Sequence, residues 1–295
     1  MSLSVNTSVA NSPALYWLVG TKSTYALETR SVLRVNQLGM ENVIRSTVEV
    51  QVLDKLLTTG EYVVRVTVLD TVQSQQQGLH QLLTALNQVS DVLEIAVNLR
   101  GYAQRVLNRP VLLTKWPGVR AALSRRFRQF PQTQAVLSGL DQQLVVPGAL
   151  ESAILPNGIY GVLFAGLLGQ SFSLHTPEPP ELRVLPRFFG TIDLPLLVRK
   201  QAALLQGVPG NGVRVEATGA LDEANFDAAS WRHLLRQITD TPTLDTAIML
   251  VSHDTYELNV LDGTLRSASQ ELRIEVPGVY RNELTHRLTI QPPQS

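Results

Sequence analysis

Apolar and polar residues alternate along several long stretches of this chain. In VEVQVL, Val48, Val50 and Val52 alternate with Glu49 and Gln51; in YVVRVTVL, Val64, Val66 and Val68 alternate with Arg65 and Thr67. A period of two marks a strand with one buried face. Residues 25–35 form a third such stretch, and NQLGMEN (residues 36–42) and the TTG before Glu61 are turn signals. Long strands joined by short connections predict an antiparallel meander. The chain ends on a second one. AIMLVSHDTYELNVL, TLRSASQELRIEV and VYRNELTHRLTI are joined at Asp262-Gly263 and Pro277-Gly278. Between the meanders, strand signals fall at 184–204 and 213–218, with Asn211-Gly212 suited to a tight hairpin.

The period changes to that of a helix at residues 78–90, where Leu79, Leu82, Leu83 and Leu86 share one face. Further helices are predicted at 110–129, 132–144, 147–154 and 158–168. Pro110 suits the first turn of its helix, whereas Pro117 is expected to break that helix in two. Asp227 is a candidate N-cap for AASWRHLLRQI, which directs Trp231, Leu234, Leu235 and Ile238 toward a core.

Two segments echo each other: VLEIAVNLRGYAQRVLN followed by Trp116, and VRVEATGALDEANFDAASW ending at Trp231. Gly101 and Gly219 read as turns within them. The meander precedes this unit in the first half and follows it in the second. The expected fold is therefore α+β, with two antiparallel β-meanders, each packed with amphipathic helices, and a helical connector between the halves. The expected division is an N-terminal β-meander with helices over residues 1–130, a helical connector with the proline-rich HTPEPPEL loop over 131–184, and a C-terminal α+β half over 185–295.

Composition narrows the function classes. The 25 basic and 25 acidic residues cancel, so no global field attracts nucleic acid or an anionic membrane. The chain has no cysteine, which removes disulfides, thiolate chemistry and zinc–thiolate sites. The longest apolar stretch, IYGVLFAGLLG (residues 159–169), is far short of the roughly 20 residues a membrane-spanning helix needs. The N-terminus lacks the pattern of a signal peptide, and the expected location is the cytoplasm.

No motif commits the chain to catalysis. GVPGNGV (residues 207–213) has the wrong spacing for a dinucleotide loop and reads as a hairpin turn. GQSFS (residues 169–173) lacks the second glycine of a nucleophile elbow. Ser252, His253 and Asp254 are adjacent, and neighbours on a strand point to opposite faces, so they form no relay. His80, His175, His233, His253 and His286 show no metal-ligand spacing, and His286 falls in phase with the apolar face of the last strand. His253, Asp254 and Glu257 form one compact donor cluster, but converging on a metal or substrate would need a bulge or turn. Glu28, Glu49, Glu271 and Glu275 read as solvent-facing strand positions in cross-strand ion pairs. No cofactor, catalytic residue or metal ligand is assigned, and the reading leans against an enzyme.

Two surfaces are candidates for a partner. Arg120, Arg125, Arg126 and Arg128 lie within nine residues, interleaved with Phe127 and Phe130. LPRFFGTIDLPLLV (residues 185–198) is apolar, carries Phe188 and Phe189, and has prolines that confine it to a sheet edge or an ordered loop. The leading expectation is a non-catalytic binding or assembly protein acting through sheet edges and this patch, with a protein partner or a second copy. The alternative is a carrier of a hydrophobic small molecule or lipid, held between a curved sheet and the helices at 78–90 and 158–168.

Overall fold

The computed structural model describes residues 12–75, 81–82, 85–86, 90–174, 176–205, 212–240 and 248–292. The alternating stretches form β1 (Lys22–Val35), β2 (Leu38–Lys55), β3 (Tyr62–Gln73), β4 (Val92–Val97) and β5 (Ala103–Val106). Four helices follow: α1 (Arg109–Arg126), α2 (Thr133–Val145), α3 (Ala149–Ile154) and α4 (Gly158–Leu163). Next come β6 (Glu181–Phe189), β7 (Ile192–Leu205), β8 (Gly212–Leu221) and α5 (Ala228–Thr239). The chain closes with β9 (Met249–Asn259), β10 (Leu265–Val276) and β11 (Tyr280–Ile290).

Both expected meanders form, but they do not build two separate α+β units. All the strands belong to one antiparallel sheet in the order β5-β4-β3-β2-β1-β11-β10-β9-β8-β7-β6, and the class is largely β. The join is β1 against β11, in unbroken register from Tyr25↔Ile290 to Val35↔Tyr280. Eleven consecutive pairs between the two ends of the chain fuse the meanders into a single ladder. The reversed order of the echo follows from this join. Going outward from the centre, the first half reads β1, β2, β3 and the second reads β11, β10, β9.

The helices lie on one face of this sheet. Strand register places Leu27, Val50, Val64, Ile95, Val215, Tyr256 and Leu288 on the inner face, in one apolar cluster with Leu112, Trp116, Leu123, Leu137, Leu150 and Val162 from α1–α4. Further along the same face, Leu194, Leu196, Leu272, Ile274, Val276 and Tyr280 pack with Trp231 and Leu235 of α5 in a second cluster. Each large side chain buried there stabilises the fold by about 1.5–3 kcal/mol. The outer face carries charges in cross-strand pairs, among them Lys22–Glu49 at 2.8 Å, Arg45–Glu28 at 2.8 Å, Arg65–Glu94 at 2.7 Å and Arg214–Glu257 at 2.6 Å. Opposite charges on neighbouring strands keep an uncovered β-face wettable.

Several local expectations are corrected. Pro117 does not divide its helix: α1 is continuous through it, because the ring and Leu113, the residue whose carbonyl loses its donor, are both exposed. The helix expected at 158–168 stops at Leu163, and the chain turns through Gly166 (φ +72°) and Gly169 (φ +64°). Gly101 is a turn (φ +87°), but Gly219 sits inside β8, where a β-carbon would come within 2.6 Å of Ser252 Oγ. Asp227 does cap α5, accepting from the Ser230 N–H at 3.0 Å, and Trp231 and Leu235 are buried while Ile238 is exposed. Of the helix expected at 78–90, residues 81, 82, 85 and 86 are helical, with Leu82 and Ala85 buried, and most of the rest lies outside the described residues. The Asn211 turn also lies outside them.

A candidate binding cavity at the seam of the sheet

Between the two apolar clusters the inner face turns polar. The register aligns Lys200 on β7, Ala217 on β8, Asp254 on β9, Gln270 on β10, His286 on β11 and Thr29 on β1 as one cross-strand row. Every one of these residues occupies the phase that is apolar elsewhere on its strand. Ala217 is the small member, and the Arg183 side chain from β6 reaches Asp254 beside it.

Each polar group in the row has a partner. Arg183 Nη1 donates to Asp254 Oδ2 at 2.8 Å, and the Tyr256 hydroxyl donates to the same oxygen at 3.2 Å. Gln270 Nε2 donates to the Tyr256 hydroxyl at 2.7 Å and to the Gly161 carbonyl at 3.4 Å. His286 Nδ1 lies 2.9 Å from Thr29 Oγ1. The Lys200 ammonium has four acceptors: the Tyr102 hydroxyl at 3.1 Å, Glu181 Oε2 at 3.3 Å, and the carbonyls of Ala165 and Gly166 at 3.2 and 3.1 Å. Tyr102 in turn donates to Glu181 Oε2 at 2.8 Å. Local sequence makes this possible. A β-carbon on Gly166 would lie 2.0 Å from the Tyr102 ring, so only glycine lets those carbonyls and that ring meet at Lys200.

Burial sets the electrostatics. It lowers the Lys200 ammonium from its ordinary value, with Glu181 opposing. It raises the Asp254 carboxyl, against the pull of Arg183. For Glu181 burial acts upward too, but the Tyr102 hydrogen bond and the Lys200 charge outweigh it and hold the carboxyl below its usual range. His286 is pushed down to about 4 by burial, with the Arg183 charge adding to the effect. The Tyr102 and Tyr256 hydroxyls are raised, mainly by burial.

Above this row is a cavity of about 400 Å³. Its polar lining includes Tyr102, Glu181, Arg183, Lys200, Asp254 and Tyr256. Its apolar lining includes Leu155, Pro156, Phe164 and Val198. Tyr102, Ala103 and Gln104 at β5 line it from one side, and Glu181, Leu182, Arg183 and Val184 of β6 from the other. β5 and β6 are the two edges of the sheet, so the sheet curls until both edges face the same space. Arg183 also lines a smaller cavity of about 40 Å³ with Ser252, Gln270 and His286.

The residues singled out by sequence are dispersed. Phe189 is buried against Trp231, ring centroids 4.3 Å apart, and Phe188 packs edge-on at 4.9 Å from Phe189. Arg120 pairs with Asp141 at 3.0 Å, Arg126 stacks on the Phe127 ring at 5.1 Å, and Arg125 and Arg128 are exposed. Ser252 and Asp254 face inward, whereas His253 and Glu257 face outward, Glu257 toward Arg214. His80 and His175 lie outside the described residues. Among the described residues, no group of three or more His, Asp or Glu could hold a metal, and no helix is long and apolar enough to cross a membrane.

Sequence reasoning passed over Tyr102, Glu181, Arg183, Lys200 and Gln270. The available signal was a charge or amide in the apolar phase of a strand, as in LPLLVRKQAALL, where Lys200 continues the row Leu194, Leu196, Val198. Compared with known protein families and with curated proteins, the sequence matches no family model and no curated protein.

Proposed function

We propose that this chain is a non-catalytic binding protein whose site is the cavity between the edge strands β5 and β6. The observation that carries this reading is a space of about 400 Å³ lined by apolar side chains together with a few hydrogen-bonded polar groups. Ligand pockets combine these same features: concavity, a mostly apolar lining, and a few oriented polar groups. The volume is at the lower end of the range for small-molecule sites, roughly 300–1,000 Å³. An amphiphilic ligand fits it, with its apolar part against Leu155, Phe164 and Val198 and its polar part toward Arg183 and Glu181.

The chemistry of the polar lining favours holding over reacting. A lysine that hydrogen-bonds to four acceptors is an anchor for the 165–166 turn rather than a nucleophile. Asp254 is engaged by both Arg183 and Tyr256. Native mass spectrometry of gently purified protein tests the reading. The expected result is a bound species of small mass that organic extraction releases. A strictly apo spectrum, together with no mass adduct from an apolar dye, would count decisively against it.

A second reading has its own observation. Leu182, Val184 and Leu197 are exposed together at the β6 border of an outer face that carries cross-strand ion pairs. Such a border suits assembly with another protein through the sheet edge.

A further inference from the structure

We infer that the occupant of the cavity is an extended peptide segment that pairs with the outer edge of β6, which has no strand partner among the described residues, adding a twelfth strand at the seam. The inference rests on the cavity being a binding site and specifies the class of ligand.

Strand direction leaves room for one more strand. Eleven strands, each antiparallel to its neighbours, leave the two outermost strands running the same way. β5 and β6 therefore cannot close on each other as an antiparallel pair. A single inserted strand, antiparallel to both, continues the pattern from either side. Tyr102 and Glu181 already bridge the seam side chain to side chain. Among the described residues β5 and β6 share no strand pairing, and both line the cavity.

The backbone of β6 is placed to receive it. The Pro195 carbonyl on β7 accepts from Asp222 N, so Pro195 faces β8, and its neighbours Leu194 and Leu196 face β6. In an antiparallel ladder each residue turns its N–H and C=O to the same side, and successive residues alternate. The pairs Leu185↔Leu194, Arg183↔Leu196 and Glu181↔Val198 thus exchange the β6–β7 hydrogen bonds. Leu182 and Val184 turn theirs to the seam. The opposite edge is less open, because the Val106 N–H on β5 already donates to Glu151 Oε1 at 3.2 Å. β6 is the receiving edge.

The side chains of β6 set those of the guest. Leu182 and Val184 are exposed on the outer face, beside exposed Leu197. Guest residues opposite Leu182 and Val184 fall on that same face and cover these apolar groups when they are themselves apolar. The residue between them points inward beside Arg183, which donates to Asp254 through Nη1 and lines the cavity. An acidic side chain complements it. The guest pattern is apolar–acidic–apolar in extended conformation, the β-addition mode of peptide recognition.

The test uses the folded full chain and a fluorophore-labelled, capped peptide, Thr-Val-Glu-Val-Thr, read by anisotropy. Three comparisons accompany it: the same peptide N-methylated at both valines, the peptide with lysine for glutamate, and the protein variant Val184→Pro. The proline removes an N–H that faces the seam and leaves the β6–β7 pairing intact. The inference expects the parent peptide to bind, and each of the three changes to weaken binding about tenfold or more. Equal binding of the N-methylated peptide overturns it, and that result needs no protein variant. So does failure of the parent peptide to displace an apolar dye that the cavity holds; in that case the cavity reading survives and the peptide class falls. If neither dye nor peptide binds, the cavity reading falls first.

Discussion

His286 sits where the strand pattern calls for an apolar residue, and the fold keeps it neutral. Its value is held down to about 4 from an ordinary 6.5 by burial and by the charge of Arg183. The unfolded chain takes up a proton near pH 6.5, while the native imidazole resists until about pH 4. Stability present above pH 6.5 is therefore lost as pH falls through that window, by on the order of 2–3 kcal/mol. Asp254, whose carboxyl is raised, acts with the opposite sign in acid, so the His286 contribution is read against a variant. Urea unfolding of the wild type and of His286→Gln at pH 7 and pH 4.5 checks this. The stability difference is expected to move toward the variant at low pH by about 2 kcal/mol. A difference that does not move with pH contradicts the neutral, buried assignment. At this scale the sequence was legible only in part. That Lys200, Asp254, Gln270 and His286 are polar residues in the apolar phase of their strands is visible in the sequence, and His286 was noticed on that ground. That they align in one row was not visible, because their register is set by pairing between distant segments.

Strands and caps were the most legible elements, since period-two alternation and the Asp227, Asp262-Gly263 and Pro277-Gly278 signals act locally. Elements whose form depends on what packs against them were not. Gly219 resembled a turn because glycine frees the backbone, yet it serves close packing against Ser252. The 159–169 stretch looked helical throughout, but Gly166 and Gly169 bend it so that two carbonyls reach Lys200. Alanine substitution separates conformation from contact there. Gly148 has φ +76° with nothing within 4 Å of a β-carbon, whereas Gly166 has φ +72° with the Tyr102 ring at 2.0 Å. Gly148→Ala is expected to cost about 1–2 kcal/mol, the penalty of the left-handed conformation alone. Gly166→Ala is expected to cost at least about 2 kcal/mol more, because the Tyr102–Glu181–Lys200 cluster must move. Equal losses for the two variants in chemical denaturation would show that the Gly166 turn does not organise the site.

At the scale of the whole molecule, the expectation of two α+β halves failed on one long-range fact. β1 and β11, at opposite ends of the chain, pair over eleven positions. Nothing in either strand's own pattern names its partner, and each meander is self-consistent without the other. The join has consequences for function. It makes one sheet broad enough to curl, brings its edges to a common cavity, and carries the row of Lys200, Asp254, Gln270, His286 and Thr29 from β7 to β1, interrupted at Ala217. The candidate partner patch at Phe188 and Phe189 becomes part of the chain's own second core, and the exposed apolar border shifts to Leu182, Val184 and Leu197. On the proposed function, the space between those edges holds a ligand. The direct measurement is a fluorescence titration of an apolar dye into the wild type and into Ala217→Phe, whose ring would fill the cavity floor between Lys200 and Asp254. Native circular dichroism of the variant is the control for folding. Saturable, stoichiometric binding to the wild type is expected, with a loss of about tenfold or more in affinity for the variant. Identical titrations of two folded proteins would contradict the proposed function.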